Sequence, residues 1–250
     1  MDLGLDNVHV LVTGASGGIG LATVRTFLKL GARVTAHYHS KRAPLEPLLA
    51  EFGGERVRAA QANLALEADA GRLFADAPSA FGPVQVVVVN HAVYEARNVP
   101  LAEMPLAQWE STARRRRARA GGGRAHREHG GKYGEAGHAD YAATKSAMMY
   151  GLCLSLKNEI VKIAPKGRVN VVAPGWVRTP MAEESLKNPD IVYQALATMP
   201  LKKVAEPEDV ANQIAILSSS TVSGHVSGTV VMVEGGMEGR LLNSRQELGL

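Results

Sequence analysis

Two kinds of segment alternate along the chain. Short runs in which most residues are apolar or β-branched predict strands over residues 8–12, 33–37, 56–60, 84–89, 169–172 and 229–233. Longer stretches with apolar residues at helical spacing predict helices over residues 18–30, 44–52, 66–80, 141–163 and 207–217. This alternation predicts an α/β fold in three layers, in which helices cover both faces of a doubly wound parallel sheet and right-handed crossovers join the strands. The run 84–89 is the most apolar, so we expect that strand to be buried on both faces.

One interval, residues 113–131, breaks the alternation. It comprises seven Arg, five Gly, four Ala, two His and one Glu, without any Val, Ile, Leu, Met, Phe, Tyr or Trp. Because such a segment has no apolar face to bury, it is predicted to be irregular. It carries a net charge of +6, whereas the whole chain carries +4, so the other 231 residues carry −2. The basic balance is therefore a property of this Arg- and Gly-rich segment alone.

The rest of the composition is ordinary for a globular protein, with 46% hydrophobic and 21% charged residues among 250. No internal repeat and no linker divides the chain, so we expect one domain over residues 1–250. The single cysteine, Cys153, excludes an intrachain disulfide. No stretch approaches the ~20 apolar residues of a membrane span, and the N-terminus has no basic-then-apolar leader. These observations predict a cytoplasmic protein.

A glycine-rich stretch, Thr13-Gly14-Ala15-Ser16-Gly17-Gly18-Ile19-Gly20, follows the first predicted strand and opens the first helix. Glycines let the backbone turn tightly and approach a pyrophosphate without a Cβ in the way. The N-terminus of the helix then offers free N–H groups and a partial positive charge to the phosphates. We therefore expect this turn to bind a dinucleotide. A tight turn needed only for packing is the alternative.

The end of the second predicted strand bears on which dinucleotide binds. A carboxylate there would hold the ribose 2′-hydroxyl of NAD. The sequence instead continues His37-Tyr38-His39-Ser40-Lys41-Arg42 and has no acid before Glu46. Lys41 or Arg42 can pair with a 2′-phosphate, which favours NADP(H) over NAD(H). A solvated basic turn is the alternative.

Tyr141 and Lys145 are the candidate catalytic residues. They stand four residues apart on a predicted helix and therefore share one face. A tyrosine with the ordinary pKa of about 10 is a poor acid–base catalyst at neutral pH. A neighbouring ammonium group favours the phenolate and brings the pKa of such a tyrosine toward the working range.

In their order and spacing these motifs resemble the short-chain dehydrogenase/reductase family. The family's TGxxxGxG pattern corresponds to residues 13–20, its YxxxK pattern to residues 141–145, and its NNAG pattern, altered, to Asn90-His91-Ala92-Val93. A Pro-Gly segment at residues 174–179 and the C-terminal Glu234-Gly235-Gly236 also fit, so the resemblance covers nearly the whole chain. It implies a Rossmann-type fold and hydride transfer between NADP(H) and a carbonyl or alcohol carbon.

The resemblance also implies roles for individual residues. Tyr141 would exchange a proton with the substrate oxygen, Lys145 would hold the nicotinamide ribose, and Thr179 would contact the nicotinamide carboxamide. Asn90 would lie near the adenine-side ribose. The implied cofactor-binding set is Thr13, Gly14, Ser16, Gly17, Gly18, Ile19, Gly20, His37, Tyr38, Ser40, Lys41, Asn63, Leu64, Asn90, Ala92, Tyr141, Lys145, Pro174, Gly175, Val177 and Thr179.

The chain departs from the family pattern within the Arg- and Gly-rich segment. Glu128 stands 13 residues before Tyr141, where the family has a substrate-orienting serine, and Arg116 stands where it has an asparagine. A carboxylate facing the substrate oxygen would repel developing alkoxide charge. The interval from Trp109 to Tyr141 is also short, so we expect the fifth strand of the family's sheet to be missing.

Alternatives to an active oxidoreductase therefore stay open. One is a protein that binds NADP(H) without turnover. Another is a coding sequence read partly out of frame, since GC-rich sequence then yields Arg, Ala and Gly.

The partners follow from the same observations. An Arg run can neutralise nucleic-acid phosphates, but this one lacks interleaved aromatic residues, and we expect no nucleic-acid or membrane partner. The histidines show no metal-ligand spacing, so no metal is expected. The resemblance implies a small carbonyl or alcohol substrate and assembly as a homodimer or homotetramer.

Overall fold

The strands and helices follow the predicted alternation. The computed structural model of the chain describes residues 2–91, 99–109, 112, 130–134, 136–180, 182–241 and 243–249. Its strands are β1 (His9–Thr13), β2 (Arg33–Tyr38), β3 (Val57–Gln61), β4 (Val86–Val89), β5 (Val171–Pro174) and β6 (Val230–Val233). The longer helices are α1 (Gly18–Lys29), α2 (Glu46–Phe52), α3 (Glu67–Asp76), α4 (Ala139–Ser146), α5 (Cys153–Ile163), α6 (Pro189–Leu196) and α7 (Pro207–Ser218).

The chain also contains a π-helical stretch and several single helical turns. A π-helical stretch, Ala147–Leu152, joins α4 to α5 into one continuous rod. Single turns lie at Ala43–Leu45, Pro78–Phe81, Leu101–Glu103, Gly130–Tyr133, Glu183–Leu186, Ser220–Ser223 and Gln246–Leu248.

All strand pairs are parallel. Four strands form one sheet in the order β3-β2-β1-β4, and β5 pairs with β6 in a second sheet. β1 lies in the centre of the larger sheet, where Val10 is in register with Val34 of β2 and Val86 of β4. The predicted α/β fold with a parallel sheet and flanking helices is confirmed. Among the described residues no strand lies between β4 and β5, and the expected site of the fifth strand falls within residues 110–129, nearly all of them outside that description.

β4 is less covered than its sequence predicts. Val88 is buried, but Val87 exposes 44% of its surface. One edge of β4 pairs with β1, while its other edge has no strand partner in the part of the chain that the structure describes. An edge strand lacks the neighbour whose side chains would cover it. The prediction that this strand is buried on both faces is therefore wrong.

The prediction of irregular structure over residues 113–131 is wrong at its C-terminal end. Gly130 and Gly131 begin the helical turn Gly130–Tyr133. The Ser146 hydroxyl donates a hydrogen bond to the Gly131 carbonyl, and a Cβ at Gly131 would lie 2.8 Å from the Lys145 Cβ. The turn is therefore held by this hydrogen bond and by close contact of Gly131 with α4, without an apolar face of its own. Residues 113–129 lie outside the described residues.

The main core lies between the larger sheet and α1. Its fully buried members include Val10 and Val12 of β1, Val34 of β2, and Val24 and Phe27 of α1. Burying side chains of this size stabilises the fold by roughly 1.5–3 kcal/mol each. Helix α1 also packs against α7, which ties the second half of the chain to the first. No helix in the described ranges is long and apolar enough to cross a bilayer.

Removing the Phe27 ring tests this core. Phe27 is fully buried, whereas Phe74 of α3 is 46% exposed. We expect Phe27→Ala to lower the free energy of unfolding by about 3–5 kcal/mol, because the cavity adds to the lost burial. Phe74→Ala serves as the control and should cost less than about 1 kcal/mol. Urea denaturation followed by circular dichroism measures both, and equal losses would contradict the assignment of the core.

Candidate active site

The glycine turn between β1 and α1 is too tightly packed to hold side chains at two positions. Gly14 has a positive φ of 64°, and a Cβ there would lie 2.8 Å from the His91 Cα. A Cβ at Gly20 would lie 2.2 Å from the Gly14 carbonyl oxygen and 2.7 Å from Asn90 Nδ2. The packing of the protein itself therefore requires glycine at these two positions.

The N-terminus of α1 leaves its first N–H groups available. The N-cap residue Gly17 makes no side-chain cap, and the first intrahelical bond runs from the Leu21 N–H to the Gly17 carbonyl. The N–H groups of Gly18, Ile19 and Gly20 precede that bond, so the helix itself supplies them with no acceptor. Such a terminus favours an anion, and phosphate oxygens are suitable acceptors for these donors.

His37 lies beneath the turn and holds its backbone. The ring is only 2% exposed. Nδ1 accepts a hydrogen bond from the Gly14 N–H at 3.1 Å, and Nε2 lies 3.0 Å from the Ala62 carbonyl oxygen. The His37 carbonyl accepts the Ala15 N–H at 2.8 Å. Because a backbone N–H can only donate, Nδ1 carries no proton and Nε2 donates to Ala62. Burial lowers the pKa of His37, in agreement with a neutral ring.

Asn90, at the end of β4, fixes the other side of the turn. Its Nδ2 donates to the carbonyl oxygens of Thr13 at 3.2 Å and Gly14 at 3.1 Å. Its backbone N–H donates to the Thr13 hydroxyl at 3.0 Å, and His91 Nδ1 lies 2.8 Å from the same hydroxyl. These bonds tie the ends of β1 and β4 together at the turn. Ala92, which the resemblance adds to this group, lies outside the described residues.

Lys41 and Arg42, the two candidate ligands of a 2′-phosphate at the end of β2, differ in their contacts. Arg42 is engaged by Glu46, with 2.9 Å between Nε and Oε1. Ser40 and Lys41 are exposed, Tyr38 is half-buried, and within the described part of the chain Lys41 has no ion pair. Lys41 is therefore the cation that is available to a ligand here.

The end of β3 contributes one accessible residue and one core residue. The Asn63 N–H donates to Asp69 Oδ2 at 2.8 Å, and this bond is the main reason that the pKa of Asp69 is lowered. Leu64 is 5% exposed and packs in an apolar cluster with Leu11 and Leu73. The structure therefore places Leu64 in the core rather than on the surface of the site.

Tyr141 and Lys145 form a buried pair on one face of α4. Their exposures are 3% and 1%, and Lys145 Nζ lies 5.3 Å from the centre of the Tyr141 ring. An ammonium group taken out of water is stable only among compensating partners. A phenol beside it can give up a proton at lower cost, because the positive charge stabilises the phenolate. The pair can therefore hold and transfer a proton.

The loop that follows β5 meets the start of α1. A Cβ at Gly18 would lie 2.7 Å from the Thr179 methyl group, so these residues are in direct contact. Val177 is fully buried and packs with Ile19 of α1 and Val210 of α7. Pro174 is buried at the end of β5, and Gly175 lies close to Glu234, to whose Cβ an added Cβ would be 3.0 Å away. The structure thus brings the glycine turn and the loop 174–179 together.

Sequence patterns did not indicate several residues that support the pair. Asp140 is a buried carboxylate that accepts the Tyr141 N–H at 2.8 Å and the Thr112 hydroxyl at 2.7 Å. Lys132 donates to Glu234 Oε1 at 3.1 Å, which ties the turn Gly130–Tyr133 to the C-terminal loop. The pKa of Lys132 is raised, mainly by its contact with Tyr133. No short motif links these partners. Glu128 and Arg116, at the two departing positions, lie outside the described residues.

Two family models match the chain. The one described as "short chain dehydrogenase" matches residues 8–115, and the one described as "Enoyl-(Acyl carrier protein) reductase" matches residues 127–238. The 3-oxoacyl-[acyl-carrier-protein] reductase of Synechocystis sp. is 28% identical over 247 residues, which cover 91% of this chain and 95% of that protein. The cis-4-hydroxycyclohexanecarboxylate dehydrogenase of Sinomonas cyclohexanicum is 30% identical over 243 residues, which cover 90% of this chain and 94% of that protein.

A solved structure is similar over the same length. The crystal structure of L-sorbose reductase from Gluconobacter frateurii, complexed with NADPH and L-sorbose, superposes with a TM-score of 0.78 at 25% identity. The superposition covers 96% of this chain and all of that one.

Two helical glycines test the packing of the turn. Gly20 of α1 meets the Gly14 carbonyl, whereas Gly71 of α3 has open space where a Cβ would be. We expect Gly20→Ala to lower the free energy of unfolding by about 1–3 kcal/mol through overpacking. Gly71→Ala should raise it by about 0.5–1 kcal/mol, because alanine favours the helix. Urea denaturation distinguishes the two signs, and a stabilised Gly20→Ala variant would show that the turn is loosely packed.

Proposed function

Because this chain belongs to the short-chain dehydrogenase/reductase family, we propose that it is an NADP(H)-dependent oxidoreductase acting on a carbonyl or alcohol carbon. The observation that carries the proposal is the buried pair of Tyr141 and Lys145, with the ammonium 5.3 Å from the ring centre. A phenol and an ammonium group held together away from water are suited to proton exchange with a substrate oxygen. We propose that residues 1–250 form one nucleotide-binding domain.

The residues of the glycine turn fit a dinucleotide. A Cβ at Gly14 or Gly20 would collide with neighbouring atoms, and α1 begins without a side-chain cap. The N–H groups at the start of α1 would hold the pyrophosphate. Thr179, in contact with Gly18, would hold the nicotinamide carboxamide, and Lys145 would hold the adjoining ribose. When bound, the dinucleotide supplies or accepts the hydride.

The charge at the end of β2 supports NADP(H) rather than NAD(H). Lys41 is exposed and next to Ser40, whereas the Arg42 guanidinium is paired with Glu46. An ammonium and a hydroxyl at this place would bind a 2′-phosphate, which NAD(H) lacks. Tyr38 is the half-buried side chain against which the adenosine would lie.

The chain's own residues would perform the proton transfer. In the reducing direction, Tyr141 donates its hydroxyl proton to the substrate oxygen as negative charge develops there. The Lys145 ammonium stabilises the resulting phenolate. Asp140 holds the backbone of Tyr141 and connects it to Thr112, which fixes the start of α4.

A second candidate function is NADP(H) binding without turnover. It is favoured by Glu128, which stands where the family has a substrate-orienting serine. A carboxylate would not donate the hydrogen bond that a hydroxyl gives to the substrate oxygen. The two candidates share a cofactor site and differ only in catalysis.

We also propose that the protein is a homodimer or homotetramer. Several apolar side chains on the rod formed by α5 and the preceding π-helical stretch are exposed, among them Leu152, Leu154, Val161 and Ile163. Leu154 and Val161, seven residues apart, share one face of the rod, and an exposed apolar face of this kind is typical of a subunit contact. Light scattering during size-exclusion chromatography should give the mass of two or four chains, and the mass of one chain would contradict this assembly.

Tyr141→Phe tests the catalytic assignment. The substitution removes only the hydroxyl, so we expect kcat for NADPH-dependent reduction of a ketone or quinone panel to fall at least ~10²-fold. The dissociation constant for NADPH should stay within about threefold of wild type. Tyr150→Phe is the control, because Tyr150 is 51% exposed on the π-helical stretch. Unchanged kcat in Tyr141→Phe would contradict the proposed acid. A wild type that binds NADPH but reduces nothing in the panel would favour the second candidate.

Lys41→Ala tests the cofactor preference. We expect the dissociation constant for NADPH to rise roughly 10–100-fold, because a charge-assisted hydrogen bond to the 2′-phosphate is lost. The dissociation constant for NADH should not change, since NADH has no group at that place. Lys162→Ala, an exposed lysine on α5, controls for the loss of one positive charge. Tighter binding of NADH than of NADPH by the wild type would reverse the proposed preference.

A further inference from the structure

His37 joins three separate segments at the glycine turn. Its ring bonds to the Gly14 N–H and to the Ala62 carbonyl beyond β3, and its own carbonyl bonds to the Ala15 N–H. One residue therefore satisfies two successive donors of the turn and one acceptor from the neighbouring loop. With 2% of its surface exposed, it offers no ring nitrogen to a ligand.

We infer that His37 is a positioning residue whose neutral ring fixes the phosphate turn, and whose protonation releases the turn and weakens dinucleotide binding. This inference rests on the proposed function, because it assumes that the turn binds the dinucleotide.

Protonation changes Nδ1 of His37 from a hydrogen-bond acceptor to a donor. A neutral imidazole protonated at Nε2 accepts at Nδ1 and donates at Nε2, which matches its two partners. Adding a proton turns Nδ1 into a donor that faces the Gly14 N–H at 3.1 Å. Two donors then oppose each other in a buried place that offers no solvent acceptor, and the hydrogen bond is lost.

The glycine turn depends on the hydrogen bond from the Gly14 N–H to His37 because Gly14 is flexible. Gly14, at a φ of 64°, has little conformational preference of its own, so its peptide groups keep their orientation through their partners. Releasing the Gly14 N–H removes the bond on one side of the Thr13–Gly14 peptide and leaves its carbonyl held by Asn90. The turn is then fixed less firmly, and the N–H groups that follow it at the start of α1 are less well aligned toward the phosphates.

The titratable groups around the ring agree with a neutral His37 at physiological pH. His39, just beyond the end of β2, disfavours a positive charge on His37, and the centre of the His91 ring lies 6.4 Å from that of His37, edge-on. On the β3 side, the Asp69 carboxylate accepts the N–H of Asn63, one residue beyond Ala62. Burial is the largest influence, and it lowers the pKa of His37 from 6.5.

The direction of the pH effect follows from this. The form of the protein that binds is the one with a neutral His37. The affinity for the dinucleotide is therefore highest above the pKa of His37 and falls as the pH drops through that pKa. Since the dinucleotide binds the neutral form better, its binding must in turn lower the pKa of His37 further.

The test compares the dissociation constant for NADP⁺ at about pH 8 and about pH 5.5 by calorimetry. His37→Asn is the matched variant, because its Oδ1 can accept the Gly14 N–H as Nδ1 does, while the carboxamide does not titrate. The 2′-phosphate of the ligand titrates near pH 6 in every sample, so only the ratio between variants is informative. We expect the loss of affinity at low pH to be larger in the wild type than in His37→Asn, by a factor of up to ~10, which is the most that a histidine with a pKa below 6.5 allows at pH 5.5. His39→Asn, an exposed neighbour, should behave like the wild type.

Equal losses in the wild type and His37→Asn would overturn the inference and leave the proposed function intact. Folded wild type that binds no NADP⁺ at pH 8 would overturn both. Should His37→Asn fail to fold, the His37 ring can be titrated by NMR in the wild type with and without NADP⁺. Its titration midpoint should be lower with NADP⁺ present, and an unchanged midpoint would overturn the inference.

Discussion

Gly14 can approach the end of β4 only because it lacks a Cβ, and that same freedom obliges neighbouring strands to hold its peptide groups. His37 from β2 accepts its N–H, and Asn90 from the end of β4 donates to its carbonyl. The glycine turn is thus shaped by bonds that cross the sheet as well as by its own glycines. Its geometry depends on the register of β2 and β4 against β1, and so on the buried core beneath them.

The buried pair of Tyr141 and Lys145 depends on a comparable set of contacts in the second half of the chain. Lys145 can be buried because its helix is packed against Gly131, and the turn that contains Gly131 is anchored by the Lys132–Glu234 ion pair. Glu234 directly follows β6 and is itself buried, so this ion pair is shielded from water more than a surface pair would be. A short turn from the edge of the Arg- and Gly-rich segment therefore supports α4.

Local patterns predicted the first half of the fold well, because strand and helix periodicity there coincides with burial. The glycine turn and the pairing of Tyr141 with Lys145 were likewise predictable, since each is set by spacing within one element. The position of His37 beneath the turn was not, because it depends on contacts to segments about 23 and 25 residues away. The same holds for β4, because its exposure depends on which strand lies beside its outer edge, and the described residues include none there.

Because the strands form two sheets, helix α1 is the element that links the glycine turn to the half of the chain that contains the loop after β5. Among the described residues no strand pair joins β4 to β5, so backbone hydrogen bonds do not fix their relative position. The link is made instead by side chains: Ile19 of α1 packs with Val177 and Val210, and Gly18 contacts Thr179. Each buried aliphatic side chain in such a contact stabilises by roughly 1.5–3 kcal/mol. The first turn of α1 therefore both presents N–H groups to a phosphate and sets where the loop after β5 lies. Anything that displaces this turn must move the two halves of the site together.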